Sequence, residues 1–240
     1  QPFVALAQEL GRLGLTSRIA ANRDFEGFVR GYGVDFRRID VDMASVDVDP
    51  EMIERARRAD NVFRMLLTFR RMREYGMHMV EAYHDACLGS DAIVYHPGLT
   101  IGYFMAERAG IPSVLASPFP IHRTSARPSV VGYGRMPSTR LANRASYAVL
   151  QRMLWMTSAS SLGPFWASRY GALPRGFGAP FERHADARHP AVVSCSEHVF
   201  PRPQDWNPHV HQRGYWFVQE PQTYRRSEEH TSALQSPNTT

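Results

Sequence analysis

The stretch that decides the fold is residues 91–120, DAIVYHPGLTIGYFMAERAGIPSVLASPFP. Its two apolar segments, residues 91–95 and 112–116, predict buried strands. Residues 99–109 between them show helical spacing, and Gly110 predicts where that helix ends. A strand, a helix and a second strand within about thirty residues predict a βαβ unit, in which the two strands are parallel.

Upstream of that stretch the patterns follow the order helix, strand, helix, strand, in residues 3–13, 16–21, 23–30 and 34–39. Residues 40–49 are acidic and irregular, which predicts a surface loop. From Pro50 to Leu88 apolar residues recur three or four apart, and we expect a helical region that Gly89 ends. This alternation predicts an α/β fold, a Rossmann-like parallel sheet flanked by helices.

Downstream, residues 121–137 are rich in Pro, Gly, Ser and Arg and predict a long loop of the functional or mobile kind. Residues 140–170 predict a long helix. Its inner faces are expected to present Leu141, Tyr147, Leu150, Met153, Leu154 and Trp155. Residues 191–195 and 211–218 predict the last two strands.

The composition excludes several classes of protein. The net charge is +5, but all 28 basic residues are arginine, which indicates a GC-rich genome, and acids alternate with them. We therefore expect no nucleic-acid partner. Two cysteines, Cys87 and Cys195, are typical of a reducing cytoplasm. Arg70, Arg71 and Arg73, close together on a predicted helix, leave contact with an anionic membrane surface open.

The turns after the strands of the βαβ unit are the candidate binding site, because open α/β sheets bind ligands at the carboxyl ends of their strands. Gly98 permits close approach of a ligand, and Thr100 can cap the following helix, whose free N–H groups can bind an anion or a hydroxyl. A tight turn with a helix cap explains the same residues without a ligand. The candidate binding residues are His96, Pro97, Gly98, Thr100, Ser117, Phe119, Pro120 and His122.

Other chemical motifs are absent or weak. The sequence contains no dinucleotide fingerprint, no phosphate-binding loop of the Walker type and no GxSxG nucleophile elbow. Residues 158–161 (SASS) have no base beside them in the sequence and are expected to be ordinary helix surface. A zinc set would have to combine Cys195, His198, His209 and His211, which lack paired ligand spacing, so no metal site is predicted.

Several segments together resemble a known family. Residues 1–7, QPFVALA, resemble the end of the Gly-Asp-Val-Gln-Pro segment that opens sterol glucosyltransferases and antibiotic-aglycone glycosyltransferases. Residues 10–36 continue that pattern, residues 91–120 resemble the acceptor-side βαβ unit, and residues 203–206 and 214–217 resemble the stretch before the interdomain linker. The similarity extends from Gln1 to about Tyr224. It identifies the chain with the N-terminal, family-28-type domain of a two-domain GT-B enzyme, most like the sterol glucosyltransferase branch.

The resemblance implies an activity that this chain holds only in part. Such enzymes transfer a hexose, usually from UDP-glucose as co-substrate, to a lipid or aglycone hydroxyl with inversion, without a bound cofactor or metal. The implied base is an Asp two residues before Gln1, and the donor domain would follow Tyr224. The first strand of the sheet would also precede Gln1. We therefore expect an acceptor-side domain that binds an apolar, hydroxyl-bearing molecule and does not turn over by itself.

The end of the chain does not resemble the family. Apart from Ala233, residues 226–236 (RSEEHTSALQS) are what one frame of a common sequencing adapter translates to. We expect a domain over residues 1–225 and a non-native tail over residues 226–240, a native polar tail being the alternative. Two other functions remain open: a non-catalytic α/β binding module and a peripheral membrane protein.

Overall fold

The computed structural model describes residues 1–40, 73–134, 137–183 and 187–218, and only the backbone of residues 73–75. The predicted acidic loop, most of the helical region after Pro50, the Arg70 and Arg71 side chains and the 226–240 tail therefore lie outside the described residues. So does the side chain of Arg73. The described chain is an α/β fold of parallel strands flanked by helices, which confirms the predicted class.

The N-terminal part is a two-stranded parallel sheet with helices between and before its strands. Its elements are α1 (Pro2–Arg12), β1 (Arg18–Asn22), a 3₁₀ turn (Arg23–Phe25), α2 (Glu26–Gly31) and β2 (Asp35–Ile39). The register places Arg18 opposite Asp35 and Asn22 opposite Ile39. Helical spacing turns the apolar side of α1 inward. The apolar cluster of this part consists of Val4, Ala7, Val29, Val34 and Phe36.

The βαβ unit forms as the sequence predicts, after the helix α3 (Arg73–Cys87). Its elements are β3 (Ile93–Tyr95), α4 (Ile101–Ala109) and β4 (Ser113–Ser117). β3 and β4 are parallel, with Tyr95 opposite Leu115. Gly110 ends α4 with φ of 72°, a conformation that favours glycine.

Gly102 lets α4 pack closely on β3. A Cβ added at Gly102 would lie 2.6 Å from the Cβ of Tyr95 and 3.1 Å from Cγ2 of Ile93, so no side chain fits there. Gly102, Tyr95 and Ile93 are all buried. The position of the turn after β3 therefore depends on a glycine inside the helix that follows it.

The long helix α5 (Arg140–Tyr170) has the bounds that the sequence predicts. The hydroxyl of Thr139 accepts a hydrogen bond from the backbone N–H of Ala142, and Gly171 ends the helix with φ of 78°. The prediction for Leu141 was wrong: its side chain is 80% exposed and does not face the core. At about 100° per residue, Leu141 lies on the opposite side of α5 from Leu150, which is buried.

The last two strands, β5 (Ala191–Val193) and β6 (Val210–Gln212), complete a parallel sheet in the order β3-β4-β5-β6. The predicted strand over residues 211–218 was wrong in extent, because β6 stops at Gln212. Gly214 has φ of 64°, which takes the chain out of the extended conformation. In the described part of the chain, no helix has the length and hydropathy that a membrane span needs.

Candidate functional site

The turns that follow β3, β4 and β5 meet at one edge of the four-stranded sheet, because parallel strands end on the same side. The turn after β3 contains His96, Pro97 and Gly98, and β4 leads into Ser117 and Phe119. β5 is tied to β4 where both end, since the N–H of Ser194 donates to the carbonyl of Ser117 at 2.8 Å. The predicted binding residues of the two turns therefore lie along one edge.

His96 is half-buried and shapes the turn after β3. Its Nδ1 accepts a hydrogen bond from the backbone N–H of Gly98 at 3.1 Å, which fixes the ring over the turn. The ring of Phe3, in the first turn of α1, meets the ring of His96 edge-on with centroids 6.2 Å apart. Burial lowers the pKa of His96, so the imidazole is neutral at pH 7. The start of α1 and a neutral histidine thus lie side by side at the edge.

Thr100 does not cap α4 with its side chain, contrary to the sequence prediction. The buried Thr100 hydroxyl instead forms a hydrogen bond with the hydroxyl of Ser158 on α5. The prediction that residues 158–161 are ordinary helix surface was also wrong, because Ser161 is buried and Ser158 is half-buried against α4. Fifty-eight residues separate Thr100 from Ser158, so no local pattern could indicate the contact.

A cavity of about 150 Å³ lies beside this hydroxyl pair, between α3, α5 and the start of α4. It is lined by Gly76, Met79, Val80, Tyr83, Gly98, Leu99, Ile101, Thr157, Ser158, Ser160 and Ser161. Apolar side chains come from α3 and α4, and four hydroxyls come from α5. The cavity is below the roughly 300–1,000 Å³ of typical ligand pockets, so it has room for only a part of such a ligand. We call it the hydroxyl-lined cavity.

A second cavity, of about 370 Å³, lies between α3 and the end of α5. It is lined by Met77, His78, Glu81, Phe165, Ser168 and Arg169. None of these residues belongs to the turns at the carboxyl edge, and three of them carry titratable or charged groups. The hydroxyl-lined cavity is smaller, but it includes Gly98 of the predicted site and is the better candidate for an apolar ligand.

The remaining predicted residues lie further along the edge. Ser117 is buried, and its hydroxyl donates to the carbonyl of Phe119 at 2.5 Å, which closes the turn after β4. Phe119 and Pro120 are half-buried. His122 is 1% exposed and packs edge-on against Trp206, so its side chain offers no surface to a ligand in this conformation.

Hydrogen bonds to other elements hold the described part of the 121–137 loop, although its composition suggested a functional or mobile loop. The carboxylate of Asp205 accepts hydrogen bonds from the Thr124 hydroxyl at 2.6 Å and from the Ser125 N–H at 2.7 Å. Asn143 on α5 donates to the carbonyl of Ser125 at 2.9 Å. The loop therefore bridges the start of α5 and the turn before β6.

Curated proteins of similar sequence include fungal sterol 3-beta-glucosyltransferases. The chain is 29% identical to the enzyme of Leptosphaeria maculans over 231 residues, 93% of this chain. It is 26% identical to that of Neurospora crassa over 230 residues, 92% of this chain. The chain is therefore similar in sequence to a part of two sterol 3-beta-glucosyltransferases. It spans only 15% and 14% of the length of these two enzymes.

Among solved structures, the calicheamicin glycosyltransferase CalG4 superposes with a TM-score of 0.52 and 13% identity. The match covers 90% of this chain and 48% of CalG4. At this identity the likeness shows the fold alone, which is that of one half of a GT-B glycosyltransferase. No protein-family model matches the chain.

The hydrogen bonds that Asp205 accepts from Thr124 and Ser125 depend on pH. Partial burial raises the pKa of its carboxyl, but the hydrogen bonds from Thr124 and Ser125 outweigh burial and hold the pKa below its ordinary 3.8. A lowered pKa in the folded state stabilises the fold above pH 3.8, and the contribution disappears as the pH falls through the lowered pKa.

Asp205→Asn is therefore expected to lower the free energy of unfolding at pH 7 by about 1.5 kcal/mol, because the hydrogen bonds lose their charged acceptor. The difference from the parent should shrink as the pH falls below 3.8. Urea unfolding of the parent and the variant at pH 7 and pH 3 measures the loss of unfolding free energy at each pH. Asp91→Asn is the control, since Asp91 is exposed and makes no hydrogen bond within the described residues. An equal loss at both pH values would contradict the role of the charge.

The described residues contain no group of three or more His, Cys, Asp or Glu side chains that could hold a metal ion. Cys195 is buried at the end of β5, and its sulfur lies 3.9 Å from the hydroxyl of Tyr215. His209 and His211 belong to the region of β6, and His198 is exposed. The structure does not bring these residues of the considered zinc set together.

Proposed function

We propose that the chain is the acceptor-side part of a glycosyltransferase that transfers a hexose from UDP-glucose to a hydroxyl of a sterol-like acceptor, with inversion. The observation behind this proposal is the hydroxyl-lined cavity at the edge where the turn after β3 lies. Its apolar side chains suit a hydrocarbon ring, and a half-buried neutral histidine borders the same turn. The similar enzymes of Leptosphaeria maculans and Neurospora crassa are both sterol 3-beta-glucosyltransferases, which supports the same acceptor class.

In this proposal the residues of the chain bind and orient the acceptor. Met79, Val80 and Ile101 would contact an apolar end of the molecule, and water would be displaced from the cavity. The acceptor hydroxyl would then point along the edge towards His96 and the start of α1. Pro97 and Gly98 would contribute backbone to the same surface, and Phe119 and Pro120 its far side.

The chemical step would be an in-line displacement at the anomeric carbon of the hexose. The acceptor oxygen forms the new bond, the bond to UDP breaks, and a base takes the hydroxyl proton. The proposed base is an Asp two residues before Gln1. The contact between Phe3 and His96 supports this, because it places the start of α1, and hence whatever directly precedes Gln1, at the acceptor edge. UDP-glucose enters as a co-substrate, bound by residues outside the described chain.

The test is an assay of the full-length product of the source gene, after the DNA on both sides of this sequence has been read. We expect radiolabel from UDP-glucose to move to a free sterol and not to the same sterol with its 3-hydroxyl methylated. Nuclear magnetic resonance of the product should show inverted, β-linked glucose. A reading frame without a donor domain, together with sterol binding but no transfer, would favour a non-catalytic binding module instead.

The 240-residue chain alone is expected to release no UDP and to transfer no glucose. The reason is that it spans 14–15% of the length of its relatives, and no base or donor site is assigned to its own residues. Incubation of the purified chain with radiolabelled UDP-glucose and sterol measures this. The full-length product serves as the positive control, and transfer by the short chain would contradict the expectation.

A further inference from the structure

The outer face of α5 presents an exposed stripe that does not face the core. It consists of Leu141, Ala145, Val149, Arg152 and Met156, all exposed. At about 100° per residue these five positions fall within an arc of roughly 80° on the helix. A helix of a globular protein normally turns such an apolar stripe inward. Here Tyr147, Leu150 and Trp155 occupy the inward side, so the helix has two faces with apolar residues, and the described part of the chain covers only one of them.

The stripe continues onto the loop before α5. Val130 is 66% exposed and Tyr133 is 77% exposed. The turn that contains them is held against the helix, because the N–H of Ser129 donates to the hydroxyl of Ser146 at 2.8 Å. Ser146 lies one helical turn before Val149. We call the combined surface the α5 patch, formed by Val130, Tyr133, Leu141, Val149 and Met156 with Arg140, Arg144 and Arg152.

The charge around the α5 patch is predominantly positive. Between Glu107 and Glu182 the sequence contains nine arginines and no aspartate or glutamate. Arg140, Arg144 and Arg152 are all exposed. Within the described residues their one ion-pair partner is Asp205, 3.8 Å from Arg144, and this carboxylate already accepts hydrogen bonds from the loop. An uncovered apolar stripe is thus bordered by arginines that acids of the described chain leave largely unneutralised.

We propose that the α5 patch docks the protein on the surface of an anionic lipid bilayer. Exposed Leu, Val, Met and Tyr side chains would enter the boundary between headgroups and acyl chains, and the arginines would bind the acidic headgroups. Charge complementarity favours this partner over a second copy of the chain, since a symmetric contact would place the arginines of one patch near those of the other. A nucleic acid would use the arginines but not the aliphatic stripe.

The helix that carries the patch also contacts the carboxyl edge. The Gln151 amide on α5 donates to the carbonyl of Ile121 at 3.0 Å, and Ile121 follows directly after the turn of β4. The helix α5 therefore carries the patch on its outer side and contacts that edge from its buried side. The proposal itself does not depend on sugar transfer, and it concerns residues other than the arginines at 70–73.

Vesicle flotation of the 240-residue chain tests the proposal. The chain should float with vesicles that contain about 30% phosphatidylserine at about 0.1 M NaCl, and not with pure phosphatidylcholine vesicles. Arg140→Gln with Arg152→Gln should lower the partition coefficient about 30-fold, since each arginine near the surface contributes roughly a factor of five. Raising the salt to about 0.5 M NaCl should weaken binding of the unmutated chain to the anionic vesicles. Leu141→Gln should also lower the partition coefficient, both at about 0.1 M and at about 0.5 M NaCl.

Matched control variants remove two exposed arginines and one exposed leucine outside the α5 patch. Arg18→Gln with Arg37→Gln removes two exposed arginines from β1 and β2, and Leu13→Gln replaces a leucine that is 73% exposed at the end of α1. Circular dichroism checks that every variant is folded. The proposal is overturned if the chain does not bind the anionic vesicles, or if the control pair reduces binding as much as the patch pair. It is also overturned if the patch variants bind the vesicles as the unmutated chain does and lose instead their binding to an oligonucleotide. The same holds if they lose only their self-association, measured by analytical ultracentrifugation.

Discussion

Gly102→Val is expected to lower the free energy of unfolding by about 3 kcal/mol, because α4 and β3 are in contact at that residue. The first added carbon would already lie 2.6 Å from the Cβ of Tyr95, so strand or helix must move before the two further methyl groups are placed. Both neighbours are buried in the main core, where such movement disturbs close packing. Urea unfolding followed by circular dichroism measures the change.

Gly11→Val is the matched control for this experiment. Gly11 lies in α1, and a Cβ added there meets nothing within 4 Å. Valine has a somewhat better helix propensity than glycine, so the control should leave stability unchanged or raise it slightly. If Gly102→Val and Gly11→Val behave alike, the close approach of α4 to β3 does not fix the βαβ unit.

The elements that sequence reasoning placed correctly are those with local causes. The bounds of α5 follow from Thr139, whose hydroxyl caps the helix, and from Gly171, which adopts a left-handed conformation. The end of α4 at Gly110 has the same cause. The βαβ unit follows from two short apolar strands on either side of a helical pattern. In each case the deciding residue acts on its immediate neighbours, so a single sequence is enough.

The errors concern contacts between residues far apart in the chain. The role of Ser158 depends on Thr100 from another helix, and the ties of the 121–134 loop depend on Asp205. Leu141 lies about 180° around α5 from the buried Leu150, and no element of the described chain covers it. Periodicity shows which side chains share a face of a helix. It does not show how much of that face another element covers, and the α5 patch and the hydroxyl-lined cavity both depend on this.

For the proposed glucosyltransferase, Ser160→Leu is expected to raise the KM of the full-length protein for the proposed sterol acceptor about 100-fold, with little change in kcat. Ser160 lines the hydroxyl-lined cavity, and its hydroxyl bonds only within α5, to the carbonyl of Thr157 at 2.9 Å. A leucine there would fill much of a cavity of about 150 Å³ without breaking the bond between Thr100 and Ser158. Leucine also suits a helix better than serine, so stability should be kept.

Ala167→Leu adds a leucine to the exposed side of the same helix and should leave the KM unchanged. Ser158→Ala separates a second effect, since it removes the hydrogen bond to the buried Thr100 hydroxyl and should lower stability more than acceptor affinity. An unchanged KM in a folded, active Ser160→Leu enzyme would move the acceptor site away from the hydroxyl-lined cavity. Because activity itself is the readout, that result would leave sugar transfer intact and reject only the assignment of the cavity.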